Sequence, residues 1–259
     1  MSYMSSTSGG LVDYREKLVE KRLRSISQVV MVTGGKGGVG KSLIASTAAL
    51  LLSRSSNRTG LLDLDLHGPS SCFILGVKEA PVESEEGLVP PVVEGVKVMS
   101  IDLLARGRPL PLRGHAKEEV VKEMLALTAY GELDYLLVDL PPGTGDELLT
   151  VSRYVRVNGV ALVVTTPTQL AVNVARKVVE ILSSIPVRIA GIVENMSGGG
   201  ATSPSRDLAR EMGVEFLGSI PYDLALNSLV GKIGGRELLS TNFAESLSYI
   251  LKKAGFKIT

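Results

Sequence analysis

The sequence predicts an α/β fold, a doubly wound and mainly parallel sheet of about seven strands with helices on both faces. Three observations predict it. Short β-branched apolar runs alternate along the chain with helix-patterned stretches. Some of these runs, "YLLVDL" and "ALVVTT" among them, are apolar at nearly every position, the pattern of parallel strands covered on both faces. At 259 residues, 44% of them hydrophobic and 21% charged, the chain can bury a sizeable core. The expected organisation is a tail and helix over residues 1–25, then one domain over 26–259.

Each element has its own signal. "LVDYREKLVEKRLRSI" places Leu11, Tyr14, Leu18 and Ile26 near one face of a docking helix, with charges elsewhere. "QVVMVT" is the first strand, "LIASTAALLLS" the helix after it, and "GLLDLD" the next strand. A helix start follows near Ser70 in "DLHGPSSCFILG". The Pro-rich "EAPVESEEGLVPPVVEG" over 79–95 reads as a surface excursion. "LDYLLVDL", "GVALVVTT", "VRIAGIVEN" and "VEFLGSI" supply further strands, each followed by a helical pattern. "NFAESLSYILKKAGFKIT" closes the chain with Phe243, Leu247, Ile250 and Leu251 at helical spacing, a face expected to pack on the sheet.

Charge and composition narrow the partners. Lys and Arg total 28 against 27 Asp and Glu, so a net charge of +1 gives no general attraction to nucleic acid or anionic lipid. With no Trp and 4% aromatic residues, stacking platforms for single strands are scarce. Nucleic acid and membrane are therefore both disfavoured. A lone cysteine, Cys72, excludes an internal disulfide framework and fits a reducing, cytoplasmic setting. The N-terminal "MSYMSSTSGG" lacks the pattern of a secretory signal, and no apolar run approaches the ~20 residues that span a bilayer.

The chemistry is concentrated in "TGGKGGVGKS", residues 33–42. Gly35, Gly40, Lys41 and Ser42 satisfy G-x-x-x-x-G-K-[ST] after a β-like run and before a helical one. Glycine at Gly35, Gly37, Gly38 and Gly40 lets backbone N–H groups, with those of Lys36, Val39 and Leu43, close around phosphate oxygens. Lys41 is placed to reach the β- and γ-phosphates, and the Ser42 hydroxyl to ligate Mg²⁺. Asp139 ends "LDYLLVDL" where a carboxylate meets Mg²⁺ through water, and Gly143 sits in a "PPGTGD" loop able to move with a γ-phosphate. Asp63 and Asp65 end another strand, one carboxylate available to orient the attacking water and the other to serve the magnesium shell; the plainer reading is that one of them caps a helix. Expected cofactors are thus ATP or ADP with Mg²⁺. His67 and His115 are isolated from any metal-ligand spacing, and Cys72 in "CFILG" reads as a buried small hydrophobe.

"KGGVGKS", "DLDLHGPS", "GELDYLLVDLPPGTGD", "VVTTPTQLAV" and "GIVENMS" together resemble the Mrp/ApbC-type ATPases, in the MinD/ParA group of P-loop proteins with a deviant Walker loop. The likeness runs from about residue 26 to "SIPYD" near 223. It implies a slow, switch-type ATPase acting in metallocofactor assembly as a homodimer that sandwiches ATP. In that group the early lysine, here Lys36, reaches the partner subunit's nucleotide; Asp65 is the hydrolytic aspartate, Asn195 reads adenine, and Pro221 and Asp223 lie near the base. A metallochaperone or apo-metalloenzyme is the implied client. The alternative within the group is a ParA/MinD-like positioning ATPase that binds DNA or membrane, for which the basic C-terminal helix is the support.

The chain departs from that pattern. Cluster-bearing members place C-x-x-C after "ENMS", where this sequence reads "ENMSGGGATSPSRD". A shared cluster takes typically four thiolates, and a dimer of this chain holds two copies of one cysteine. No cluster ligated by a C-x-x-C pair is expected. "PLRGH" lacks the family's usual Trp, and Leu43 stands where Thr is common. "LLDLDLHGPS", "GLVPP" and "PTQLAVNVARK" are also similar to the ATP-type HypB helpers of nickel insertion, a branch without the cysteine pair.

Overall fold

The computed structural model describes residues 13–105, 115–199, 203–224, 226–230 and 235–259. The chain begins with α1 (Tyr14–Arg24), β1 (Ile26–Thr33), α2 (Lys41–Arg54), β2 (Thr59–Asp63) and α3 (Ser71–Leu75). A hairpin of β3 (Val82–Ser84) and β4 (Gly87–Val89) and the short β5 (Val92–Val93) precede β6 (Val96–Ser100) and α4 (Ile101–Ala105). The second half contains α5 (His115–Leu127), β7 (Leu133–Asp139), α6 (Asp146–Tyr154), β8 (Gly159–Thr165), α7 (Gln169–Ser183) and β9 (Arg188–Ser197). It ends with α8 (Pro204–Met212), β10 (Phe216–Pro221), α9 (Leu226–Leu229), a 3-10 turn over Arg236–Ser240 and α10 (Asn242–Lys253).

Eight strands form one sheet in the order β10-β9-β8-β1-β7-β2-β6-β5. All pairings are parallel except that of β5 with β6. Beyond the strands legible as apolar runs, the sheet gains β6, whose "VKVMS" is short and interrupted by Lys97, and the two-residue edge β5. Residues alternate between two cores, as a sheet covered on both faces requires. Val29 and Met31 of β1 join α1, α5, α6, α7 and α8 on one side. Val30 and Val32 join α2, α3 and α10 on the other.

Two expectations are refined and a third is met. In α1 the buried face is Val19 and Leu23, whereas Tyr14 is 70% exposed. Ile26 belongs to β1, so the helical face ends before it, and Leu11 lies outside the described residues. The 79–95 excursion carries the β3–β4 hairpin, held to the segment after α5 where Ala129 N–H donates to Leu88 O at 2.8 Å. At the C-terminus Phe243, Leu247, Ile250 and Leu251 are buried as expected. Lys253 is committed to the fold: its Nζ donates to Phe216 O at 2.7 Å and pairs with Glu215 at 2.8 Å.

Asp13 caps α1, accepting from Arg15 N–H at 3.0 Å, and meets Lys122 of α5 at 3.0 Å. Hydrogen bonds from Arg15, then Lys122, hold its carboxyl well below the usual carboxylate range. Because the folded value is the depressed one, the contribution is present above the ordinary carboxylate pKa and fades as pH falls below it. Thermal melts should therefore show wild type more stable than Asp13→Asn at pH 7, the gap narrowing between about pH 4 and pH 2.

Candidate nucleotide-binding site

β1 lies between β8 and β7 in mid-sheet, and its C-terminal end feeds the 34–40 loop into α2. Behind the loop there is no room. A Cβ on Gly34 would stand 2.5 Å from Val164 O, and one on Gly35 would stand 2.6 Å from the Val174 backbone of α7. In front there is space, since a Cβ on Gly37 or Gly38 would meet nothing within 4 Å. Gly40 caps α2 at φ 88°, in the left-handed region. There a Cβ would also run into the Asn195 amide, which donates to Val39 O at 2.9 Å. Gly40→Ala is expected to lower stability by roughly 1–2 kcal/mol from backbone conformation alone. It should also weaken ATP binding, checked by thermal melts and titration calorimetry on one preparation.

The open side faces a cavity of about 320 Å³ lined by Gly37, Gly38, Gly40, Lys41, Ser42, Leu43, Asp65, Gly68, Ser70, Ile74 and Pro142. β1 pairs Val32 with Asp139 of β7, and β7 pairs Asp139 with Asp63 of β2. Three strand ends thus stop at one level and set two buried carboxylates side by side. Asp139 is fully buried, and neither of its oxygens has a hydrogen-bond partner among the described residues. Burial, then the Asp63 charge, raises its pKa well above the ordinary carboxylate value. The Ser42 hydroxyl and Lys41 act in the other direction, although Ser42 does not complete a hydrogen bond of ordinary geometry. Lys41, only 6% exposed, has its pKa lowered by burial, opposed by Asp139, Asp65 and Asp63.

The two aspartates of "DLDL" separate in role. Asp63 Oδ2 accepts from Ser70 and Ser71 N–H at 3.0 and 2.9 Å, and Oδ1 from Asp65 N–H at 3.0 Å. Burial nevertheless pushes its carboxyl up to about 6. With both oxygens engaged, Asp63 shapes the turn into α3, the capping role weighed for one of the pair. Asp65 accepts through Oδ1 from His67 and Gly68 N–H at 3.3 and 3.1 Å and lines the cavity. Gly143, at φ 97°, donates its N–H to Gly34 O at 2.9 Å, tying the "PPGTGD" loop to the phosphate loop.

Lys36 behaves differently from Lys41. It is exposed, does not line this cavity, and has no ion-pair partner among the described residues. Asn195, Pro221 and Asp223 also lie outside the cavity lining. Asn195 is buried behind Val39, and Pro221 ends β10 opposite Ser197 of β9 with Asp223 half-buried just beyond. Ser70, Gly68, Ile74 and Pro142 also line the cavity, and no residue-type signal in the sequence marks them as lining residues. "GPS" and "PPGTGD" mark their segments, but Gly68, Ser70 and Ile74 converge on the loop through the β2–α3 turn made by Asp63, and Pro142 through the β7–α6 loop that the Gly143 N–H ties to Gly34 O.

A parallel sheet with a glycine loop at the end of its central strand, an invading lysine, a hydroxyl and a buried carboxylate on the next strand defines a P-loop NTPase. The family model "ParA: NUBPL iron-transfer P-loop NTPase" matches residues 25–254, and the chain belongs to that family. An iron-sulfur cluster carrier protein of Methanocaldococcus jannaschii is 33% identical, the match covering 96% of this chain and 91% of that protein. One of Saccharolobus solfataricus is 34% identical over 79% of this chain and 74% of its own length. Among solved structures, a nucleotide-binding protein of Archaeoglobus fulgidus in complex with ADP, with Co, is 34% identical with TM-score 0.73 and covers 89% of this chain and 95% of its own. The cell division ATPase MinD of Pyrococcus furiosus, 20% identical with TM-score 0.67 over 88% of this chain and 98% of its own, shares the fold.

Proposed function

We propose that this chain is a Mg²⁺-dependent ATPase that works as a nucleotide-controlled homodimeric switch in iron-sulfur cofactor assembly in the cytoplasm. The observation that carries this reading is the juxtaposition of two lysines in one loop with opposite environments. Lys41 is buried against three carboxylates, and Lys36 is exposed beside an open cavity. Relatives named as iron-sulfur cluster carriers and assembly factors favour iron-sulfur over the nickel branch.

The donor set suits Mg²⁺ as P-loop proteins hold it, largely by phosphates and water. Asp139 offers a buried carboxylate without a partner beside the Ser42 hydroxyl. Among the described residues no group of three His, Cys, Asp or Glu forms a metal cage of the protein's own. When bound, Mg²⁺ supplies charge neutralisation at the β- and γ-phosphates. Backbone N–H groups of 35–43 and Lys41 hold the phosphates. Asp65 orients a water toward the γ-phosphorus; its attack breaks the bond to the bridging oxygen and releases ADP and phosphate. Lys36 of each subunit stabilises the charge on the other's transferred phosphoryl group. Asn195, Pro221 and Asp223 border the base.

The cluster itself does not fit a thiolate site on this chain. Its single cysteine is buried, and burial, then the Asp63 charge, pushes that thiol up to about 12. The chain therefore supplies the switch, and a metallochaperone or apo-metalloenzyme client supplies cluster ligands. Pull-down with ATP and Mg²⁺, against ADP, should recover such a client with iron in the ATP sample. ATP-dependent pelleting with anionic liposomes or retention of DNA on filters, with no client recovered, would replace this reading by the positioning-ATPase alternative. Against that alternative, the apolar face of α10 is spent on the sheet.

A further inference from the structure

Asn195 lies near the C-terminal end of β9, two strands from β1, and is buried. Its side chain reaches the phosphate loop from behind, where Nδ2 donates to Val39 O at 2.9 Å. Only the NH₂ end of an amide can face a carbonyl oxygen, so chemistry fixes the direction of this bond.

Val39 O and Gly40 N–H belong to one peptide unit. The described residues contain no cis peptide, and in a planar trans unit the C=O and N–H point in opposite directions. Holding the carbonyl toward Asn195, away from the cavity, therefore aims the Gly40 N–H into the cavity that Gly40 lines. That N–H has no acceptor among the described residues. Gly40, at φ 88° and without a Cβ, does not itself resist a flip of this peptide. The flipped unit would present a carbonyl oxygen to the phosphates, so the lock has to come from outside the loop.

Asn195 is itself held. Side chains alternate along a strand, so Glu194 points to the other face of the sheet. There its buried carboxylate accepts from the hydroxyl of Ser203, the N-cap of α8, at 2.7 Å and from that of Ser219 in β10 at 3.0 Å. Met196 follows at φ 59°, a left-handed conformation that residues with a Cβ disfavour and that surrounding contacts must maintain.

We propose that Asn195 is a positioning residue for the phosphates: its amide locks the Val39–Gly40 peptide with the N–H turned into the cavity, and Glu194 anchors it from the opposite face of β9. The inference rests on reading the 34–40 loop as a nucleotide site and deepens it, because it assigns Asn195 a task at the phosphate end that is independent of the base.

The test is titration calorimetry with Mg²⁺ and three ligands that share a triphosphate and differ in what it carries: ATP, GTP and inorganic tripolyphosphate. Asn195→Asp keeps the shape and sets an acceptor against the Val39 carbonyl. It should weaken all three by about tenfold or more, the scale of one lost hydrogen bond to a charged phosphate. Asn195→Ala, which removes the donor without adding charge, should do the same, so the test stands if one variant fails to fold. Thermal melts on the same preparations set a temperature at which the proteins are folded; there a merely structural role leaves affinity unchanged. No loss, or loss confined to ATP with wild-type affinity for GTP or tripolyphosphate, overturns the proposal. So does a wild type that binds ATP but neither other ligand, since phosphate contacts then do not carry binding. A wild type that binds none of the three sinks the nucleotide reading itself, which is a distinct result.

Discussion

Lys36→Ala is expected to bind ATP with unchanged affinity and to hydrolyse it about 10³-fold more slowly, the scale of a cation supplied in trans to a transferring phosphoryl group. The reason lies in its surroundings. An exposed lysine with no ion pair among the described residues contributes little to its own fold or cavity, so its removal leaves the phosphate loop intact. Size-exclusion chromatography with ATP and Mg²⁺ should show a dimer for wild type and a monomer for the variant. Mixing Lys36→Ala with an Asp65→Asn protein offers a further check, because each mixed dimer contains one site that has Asp65 and receives Lys36 from the other chain. Normal turnover by Lys36→Ala alone would sink the trans-lysine account.

Lys41→Ala is expected to lose nucleotide binding itself. Two charge-assisted hydrogen bonds to phosphate, at about 1.5 kcal/mol or more each, amount to roughly 100-fold in Kd. The loss extends to the empty protein. Lys41 opposes the mutual repulsion of Asp63 and Asp139, both fully buried. Without it the pair must hold a proton more firmly, so stability of the apo variant should fall as pH rises through the carboxylates' elevated range. Titration calorimetry with ATP, together with denaturant unfolding at pH 5 and pH 8, measures both effects. Undiminished ATP affinity would remove Lys41 from the phosphate site.

Part of this was legible in sequence because it is local. A β-branched run, a glycine loop and an apolar helix are contiguous, so β1, loop 34–40 and α2 could be placed together. β6 was not legible, since five residues interrupted by Lys97 carry too weak a period, and it becomes a strand by pairing with β2. The buried face of α1 differs from the periodicity for a related reason. Tyr14 fits the periodicity as well as Val19 does, and only packing against α5 and the sheet selects Val19 and Leu23.

The site divides in the same way. Sequence by itself determined the phosphate loop, Lys41, Ser42, the strand-ending aspartates and the shortage of thiolates, since each follows from residue type and near spacing. Only the tertiary structure decided which aspartates are already engaged, because register across β1, β7 and β2 brings Asp139 beside Asp63 while the turn into α3 occupies both Asp63 oxygens. It also distinguished the two lysines by burial. Spacing fixes which residues share a loop, but burial and partners depend on chain segments far apart in sequence.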